Sequence, residues 1–89
     1  MKLGFNGIVT FVNAMEVKAA MDVAMDGGDF TFDFGGITQI DSTMLSLVLH
    51  AKRRAKLAGK ELRLLNEPKG FRELTVLYAV ESAFPAPEY

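Results

Sequence analysis

Cysteine is absent from the 89 residues, which excludes disulfides, thiolate chemistry and the usual zinc clusters and fits a reducing compartment. Excess charge of either sign is missing too: the formal net charge is −1, so the chain has no general attraction for nucleic acid or anionic lipid. No apolar run approaches the length that spans a bilayer. Met1-Lys2-Leu3-Gly4-Phe5 begins as a strand and lacks the apolar region and cleavage site of a signal peptide. These absences predict a cytoplasmic protein without nucleic-acid partners or direct membrane insertion. What is present is ordinary for a globular chain, with 49% apolar and 24% charged residues. The length suits a single small domain over residues 1–89 with one core.

Strand and helix patterns alternate along the chain. Leu3 to Phe5 reads as a short strand closed by Asn6-Gly7. Val12, Met15, Ala19 and Val23 then recur at helical spacing, predicting a first helix from Val12 to Met25, stopped by Asp26-Gly27-Gly28-Asp29. Phe30 to Phe34 alternates aromatic and polar residues, the pattern of a strand with its aromatic side inward, and Gly35-Gly36 is expected to end it. After Ile37 to Ile40 the face Met44, Leu47, Val48, Ala51, Ala55 and Ala58 predicts a second helix, with Gly59 as its stop. Glu61 to Leu65 is a third strand. Asn66 and Pro68 open a third helix through Phe71, Leu74, Leu77 and Tyr78, which Phe84-Pro85-Ala86-Pro87 cannot continue. The fold class is α/β, with a small, mostly parallel sheet alternating with and covered by helices. So few strands leave an edge open to a partner or to a second copy of the chain.

Few groups carry chemistry. His50 is the only histidine, and from a helix start at Ser42 it lies roughly 12 Å along the axis, too far for direct proton transfer. It reads as a partly exposed histidine without catalytic use, and a hydrolase built on Ser42 is the weakest of the functional readings. Asp26, Asp29, Asp33 and Asp41 lack metal-loop spacing, and turn and cap roles explain most of them. Asp33 has two readings, as a bond to loop amides near Asp41 or as a solvent-facing strand residue. The glycine pairs lack phosphate-loop context. Lys52-Arg53-Arg54 and Lys56 suit a solvated helix face that complements its own dipole. Met15, Met21, Met25 and Met44 read mostly as core filler. The chain is expected to be no enzyme and to hold no cofactor and no metal.

Ile40-Asp41-Ser42-Thr43-Met44-Leu45 joins a strand to the longest helix through three consecutive oxygen-bearing residues. These residues cap helices for purely structural reasons, and they also mark a place where an added phosphate would be felt.

Phe32-Asp33-Phe34-Gly35-Gly36-Ile37-Thr38-Gln39-Ile40-Asp41-Ser42-Thr43-Met44-Leu45 resembles the central signature of STAS domains, named after sulfate transporters and anti-sigma factor antagonists. In that family an apolar strand leads through a short loop to Asp-Ser/Thr followed by small residues and leucine. Gly7-Ile8-Val9-Thr10 resembles the turn into the family's first helix, and Ala58-Gly59-Lys60-Glu61-Leu62 the turn into its next strand. Phe71-Arg72-Glu73-Leu74 resembles its last helix. Leu45 to Leu49 with His50, and Leu77-Tyr78, are most like the STAS subunits of Mla-type phospholipid ABC transporters.

The resemblance implies a noncatalytic module that binds the transporter's cytoplasmic ATPase, peripheral to the inner membrane through that complex. The alternative it implies is an anti-sigma factor antagonist whose Ser42 is phosphorylated by an anti-sigma kinase. Asp41, Ser42, Thr43, Met44 and Leu45 are the expected partner-binding residues, with Asp33 in support. Met44 stands where many members have glycine, which favours constitutive docking over a phosphorylation switch. The family's first strand is expected to be missing.

Overall fold

The computed structural model describes residues 3–80. The elements run β1 (Leu3–Val9), α1 (Ala14–Asp26), β2 (Thr31–Ile40), α2 (Ser42–Leu57), β3 (Arg63–Leu65) and α3 (Phe71–Leu77). The strands form one sheet in the order β1-β2-β3, parallel throughout. Successive strands that are neighbours in the same direction, joined by right-handed crossovers, put α1 and α2 on one face. That face is the core. Phe30, Phe32 and Phe34 of the β2 region turn into it, as their alternation predicts, and meet Met21 and Met25 from α1, Met44, Val48, Ala51 and Ala55 from α2, and Phe71. Phe5 of β1 stacks on Phe34 at 5.5 Å between ring centroids. Gly4, Asn6, Gly35 and Thr38 of the sheet are exposed.

Several boundaries differ from the sequence expectation. β2 does not stop at Gly35-Gly36 but runs through the pair to Ile40. Gly36 is needed for close approach rather than for a turn: a Cβ there would lie 2.8 Å from the Phe5 carbonyl oxygen and would also run into the Asn6 side chain. β1 likewise passes through Asn6-Gly7 to Val9, absorbing the irregularity as shifts of register against β2 around Gly4 to Asn6 and Gly7 to Ile8. Gly7 to Val9 is therefore strand, and the turn into α1 begins at Thr10. β3 is only Arg63–Leu65. α3 starts after Gly70, whose φ of +90° suits glycine, and it buries Phe71 and Thr75 while Leu77 and Tyr78 face outward. The tail 84–87 lies outside the described residues.

The two long helices differ most. In α2 the expected face is buried as far as Ala55, and Ala58 is exposed at the end. Gly59 (φ +68°) closes the helix as expected, with Lys60 N donating to Ala55 O at 2.9 Å and Gly59 N to Lys56 O at 3.2 Å, a Schellman arrangement. In α1 the expected face is the wrong one. Val12, Met15 and Val23 are 70%, 80% and 72% exposed, and the buried residues are Val17, Met21 and Met25. Two apolar stripes run along this helix, and the sheet takes the one with the longer side chains at its centre. Of the methionines read as core filler, Met21, Met25 and Met44 are buried and Met15 is not.

Candidate functional site

β2 and α2 are separated by a single residue, Asp41, whose extended backbone (φ −133°, ψ −171°) turns the chain from strand to helix. Its carboxylate has two distinct uses. Oδ1 accepts from Thr43 N at 2.8 Å, satisfying an amide that the helix leaves open. Oδ2 accepts from Phe11 N at 3.0 Å, thirty residues back in the β1–α1 loop. Both bonds favour the charged form, the one from Phe11 most, and hold the carboxyl below the usual carboxylate range against the cost of partial desolvation.

The β1–α1 loop is built around two polar side chains. Asn13 Oδ1 accepts from Thr10 N at 3.0 Å while its Nδ2 donates to Ile8 O at 2.8 Å, and buried Thr10 accepts from Val12 N through Oγ1 at 3.2 Å. This network fixes the loop and leaves Phe11 78% exposed beside the start of α2. Sequence reasoning placed no functional residue here. The available signal was the run Ile8-Val9-Thr10-Phe11-Val12, with more apolar residues than the end of one strand needs.

Ser42 is the first residue of α2 and is exposed, and Thr43 is half-buried. Both therefore sit at the surface junction. Met44 and Leu45 do not: they are 1% and 5% exposed, because the first turn of α2 rotates them under the helix into the core. They support the junction from below, and neither offers contact area to a partner. With Met44 buried, the expectation that it favours constitutive docking over a phosphorylation switch loses its basis. Asp33 does not reach the Asp41 junction. Its Oδ1 accepts from Gly35 N at 2.9 Å and from Asn66 Nδ2 at 3.1 Å, bracing the turn after β3, where Asn66 has a φ of +53°.

A cluster of charged groups ties α1 to α2. Asp22 on α1 meets three cations or donors: Lys18 at 2.9 Å, His50 Nε2 at 2.8 Å and Arg54 at 3.2 Å. These bonds, led by His50, hold its carboxyl far below the usual range. Arg54 also bridges to Asp26 at 2.7 Å, and that pair leads the upward shift of its guanidinium. His50 is therefore half-buried in a polar clasp between the two helices. Asp29 accepts from Thr31 N at 3.1 Å as a turn residue. An open trough of about 920 Å³ borders Val23, Phe30, Lys60 and Arg63 at the opposite end of the sheet from Ser42. No described helix is long and apolar enough to cross a membrane.

A family model described as "Mlab, STAS domain" matches residues 1–84. The chain belongs to the STAS domain family. Among solved structures it is similar to the anti-sigma factor antagonist SpoIIAA in its unphosphorylated form, with a TM-score of 0.65 at 18% identity over 96% of this chain and 89% of that one. That likeness shows the fold, and the small α/β arrangement expected from the sequence is the STAS arrangement. No curated protein is significantly similar in sequence. Within this STAS domain, Asp41 and Ser42 occupy the strand-to-helix junction.

Proposed function

We propose that residues 1–89 act as one noncatalytic STAS domain that binds and regulates a cytoplasmic nucleotide-hydrolysing protein, the ATPase of an Mla-type phospholipid ABC transporter. The observation that carries this reading is the match of the Mlab family model to residues 1–84. The contact surface is Asp41, Ser42 and Thr43 together with the neighbouring Phe11 loop, while Met44 and Leu45 only support it from the core. An exposed hydroxyl at a helix start offers directional hydrogen bonds to a partner, and Phe11 offers the aromatic area that interface centres favour. This module needs no cofactor and joins the inner membrane only through the transporter complex.

Replacing Ser42 with arginine places a bulky charge at the surface and leaves the core untouched. Binding to the transporter ATPase should weaken at least tenfold with an unchanged circular dichroism spectrum. Unaltered affinity would sink the assignment of this surface.

The second reading is an anti-sigma factor antagonist switched by phosphorylation of Ser42. The observation favouring it is the exposed hydroxyl beside an Asp41 carboxylate already engaged by two amides. Phosphate adds about −1.5 to −2 charges, which helix amides accommodate and a partner surface would feel. Intact-mass measurement after incubation with candidate anti-sigma kinases and ATP tests it, and a Ser42→Ala control that still gains the mass of one phosphate would count against it.

A further inference from the structure

Asn13 stands at the N-cap of α1, yet its side chain makes no cap bond to that helix. Asparagine in this position ordinarily accepts from an amide of the first helical turn. Here both ends of the side-chain amide are turned backward instead, with Oδ1 accepting from Thr10 N at 3.0 Å and Nδ2 donating to Ile8 O at 2.8 Å. Departures from local preference of this kind are expected at functional or strained sites.

The two groups it joins lie where β1 passes into the loop. The carbonyls of Gly7 and Val9 face β2, accepting from Thr38 Oγ1 at 3.2 Å and from Asp41 N at 3.4 Å. Alternation along the strand then turns the Ile8 carbonyl to the outer edge of the sheet. Asn13 therefore takes the last outward acceptor of β1 and, with its other end, the first amide of the loop. Phe11 is fixed from both sides as a result. Its own amide donates to Asp41 Oδ2 at 3.0 Å, and the next one, Val12 N, donates to the hydroxyl of buried Thr10 at 3.2 Å. Three consecutive amides, those of Thr10, Phe11 and Val12, each have a side-chain acceptor, while the Phe11 side chain is outward and exposed. A loop ordered in this way loses little further freedom when a partner covers its aromatic ring.

We infer that Asn13 is a positioning residue of the contact surface, holding the β1–α1 loop so that Phe11 is already in place beside Ser42 when the partner arrives, and forgoing the cap of α1 to do so. This rests on the reading given under Proposed function, in which Phe11 and Ser42 belong to one surface. Serine separates the two uses of the position. It caps helices as well as asparagine does, but its single oxygen cannot stand both where Oδ1 meets Thr10 N and where Nδ2 meets Ile8 O.

The test compares Asn13→Ala and Asn13→Ser with the parent by melting temperature, by amide hydrogen exchange at Phe11, and by titration against the purified ATPase subunit of the Mla-type transporter. Asn13→Ser should melt above Asn13→Ala, because serine caps α1. Both variants should nonetheless exchange Phe11 faster than the parent, although that amide is bonded to Asp41 and not to Asn13, and both should bind the ATPase about tenfold more weakly. If serine restores affinity together with melting temperature, Asn13 is a helix cap and the inference is overturned. Unchanged exchange at Phe11 in both variants would mean that Asp41 alone holds the loop, which overturns it as well. If exchange accelerates while both variants bind like the parent and Ser42→Arg still weakens binding, loop order has no part in recognition, and the functional reading stands without this role for Asn13. A parent that does not bind the ATPase ends the functional reading and the role of Asn13 with it, and faster exchange at Phe11 would then record a structural tie only.

Discussion

α1 and α2 pack side by side on the same face of the same sheet, yet they are made in opposite ways. α2 has one apolar stripe, a side-chain cap at Asp41 and a glycine stop, and each of these agrees with the others. α1 has two apolar stripes, no side-chain cap from Asn13, and an outward face on which Met15, Ala19 and Val23 are exposed beside Glu16 and Asp26. A helix whose local features agree needs nothing beyond its own fold to explain them. A helix with more apolar surface than the fold consumes points to something else that consumes it.

The comparison is sharpest at methionine. Met21→Ala removes a side chain that is 1% exposed and should cost about 2–5 kcal/mol in urea denaturation, the range for truncating buried aliphatic side chains. Met15→Ala, six residues earlier and 80% exposed, should stay within about 0.5 kcal/mol of the parent. Similar losses for the two would erase the distinction between the faces.

A smaller effect tests how α2 is tied to the loop before α1. Asp41→Ala deprives Thr43 and Phe11 amides of their acceptor and should cost about 1–2 kcal/mol, the upper part of the range for a lost cap. Amide hydrogen exchange at Phe11 should accelerate in that variant. Unchanged protection at Phe11 would mean that the loop is held by Thr10 and Asn13 alone.

The weakest effect is on acid stability. Asp22, the carboxylate joining α1 to α2, has a folded pKa below its unfolded value of roughly 3.9. Its contribution is thus fully present above the unfolded pKa and is lost as pH falls through that value toward the folded one. Asp41 acts with the same sign. The clasp is partly solvent-exposed, so its contribution is modest. Asp22→Asn should flatten the decline of stability below about pH 4 and leave the Ser42 junction unaffected. An acid limb as steep as the parent's would remove Asp22 from the account.

These same contrasts explain what could be read in the sequence. Met44, Leu47, Val48, Ala51 and Ala55 form the only extensive apolar stripe of α2, so periodicity found both the helix and its buried side. Periodicity also found α1, but a period alone cannot choose between Met15-Ala19-Val23 and Val17-Met21-Met25. That choice depends on the volume available under the sheet. Gly35-Gly36 was misleading because glycine serves turns and close approaches alike, and only the proximity of Phe5 and Asn6 shows which use applies. The Asp41 cap was legible locally through its neighbours Ser42 and Thr43. Its bond to Phe11 was not, since it joins residues thirty apart whose meeting is set by the pairing of Val9 with Ile40.

The double use of Asp41 narrows what the position can become. Serine or threonine would cap α2, but their single hydroxyl cannot place separate acceptors toward both Thr43 and Phe11. Asparagine keeps the shape but turns one of the two acceptors into a donor facing a backbone N–H. Glutamate carries both oxygens on a longer arm that misses the capping distance. One helix boundary and one loop thus share a one-letter alphabet, and a change tolerated by either alone is refused by the pair.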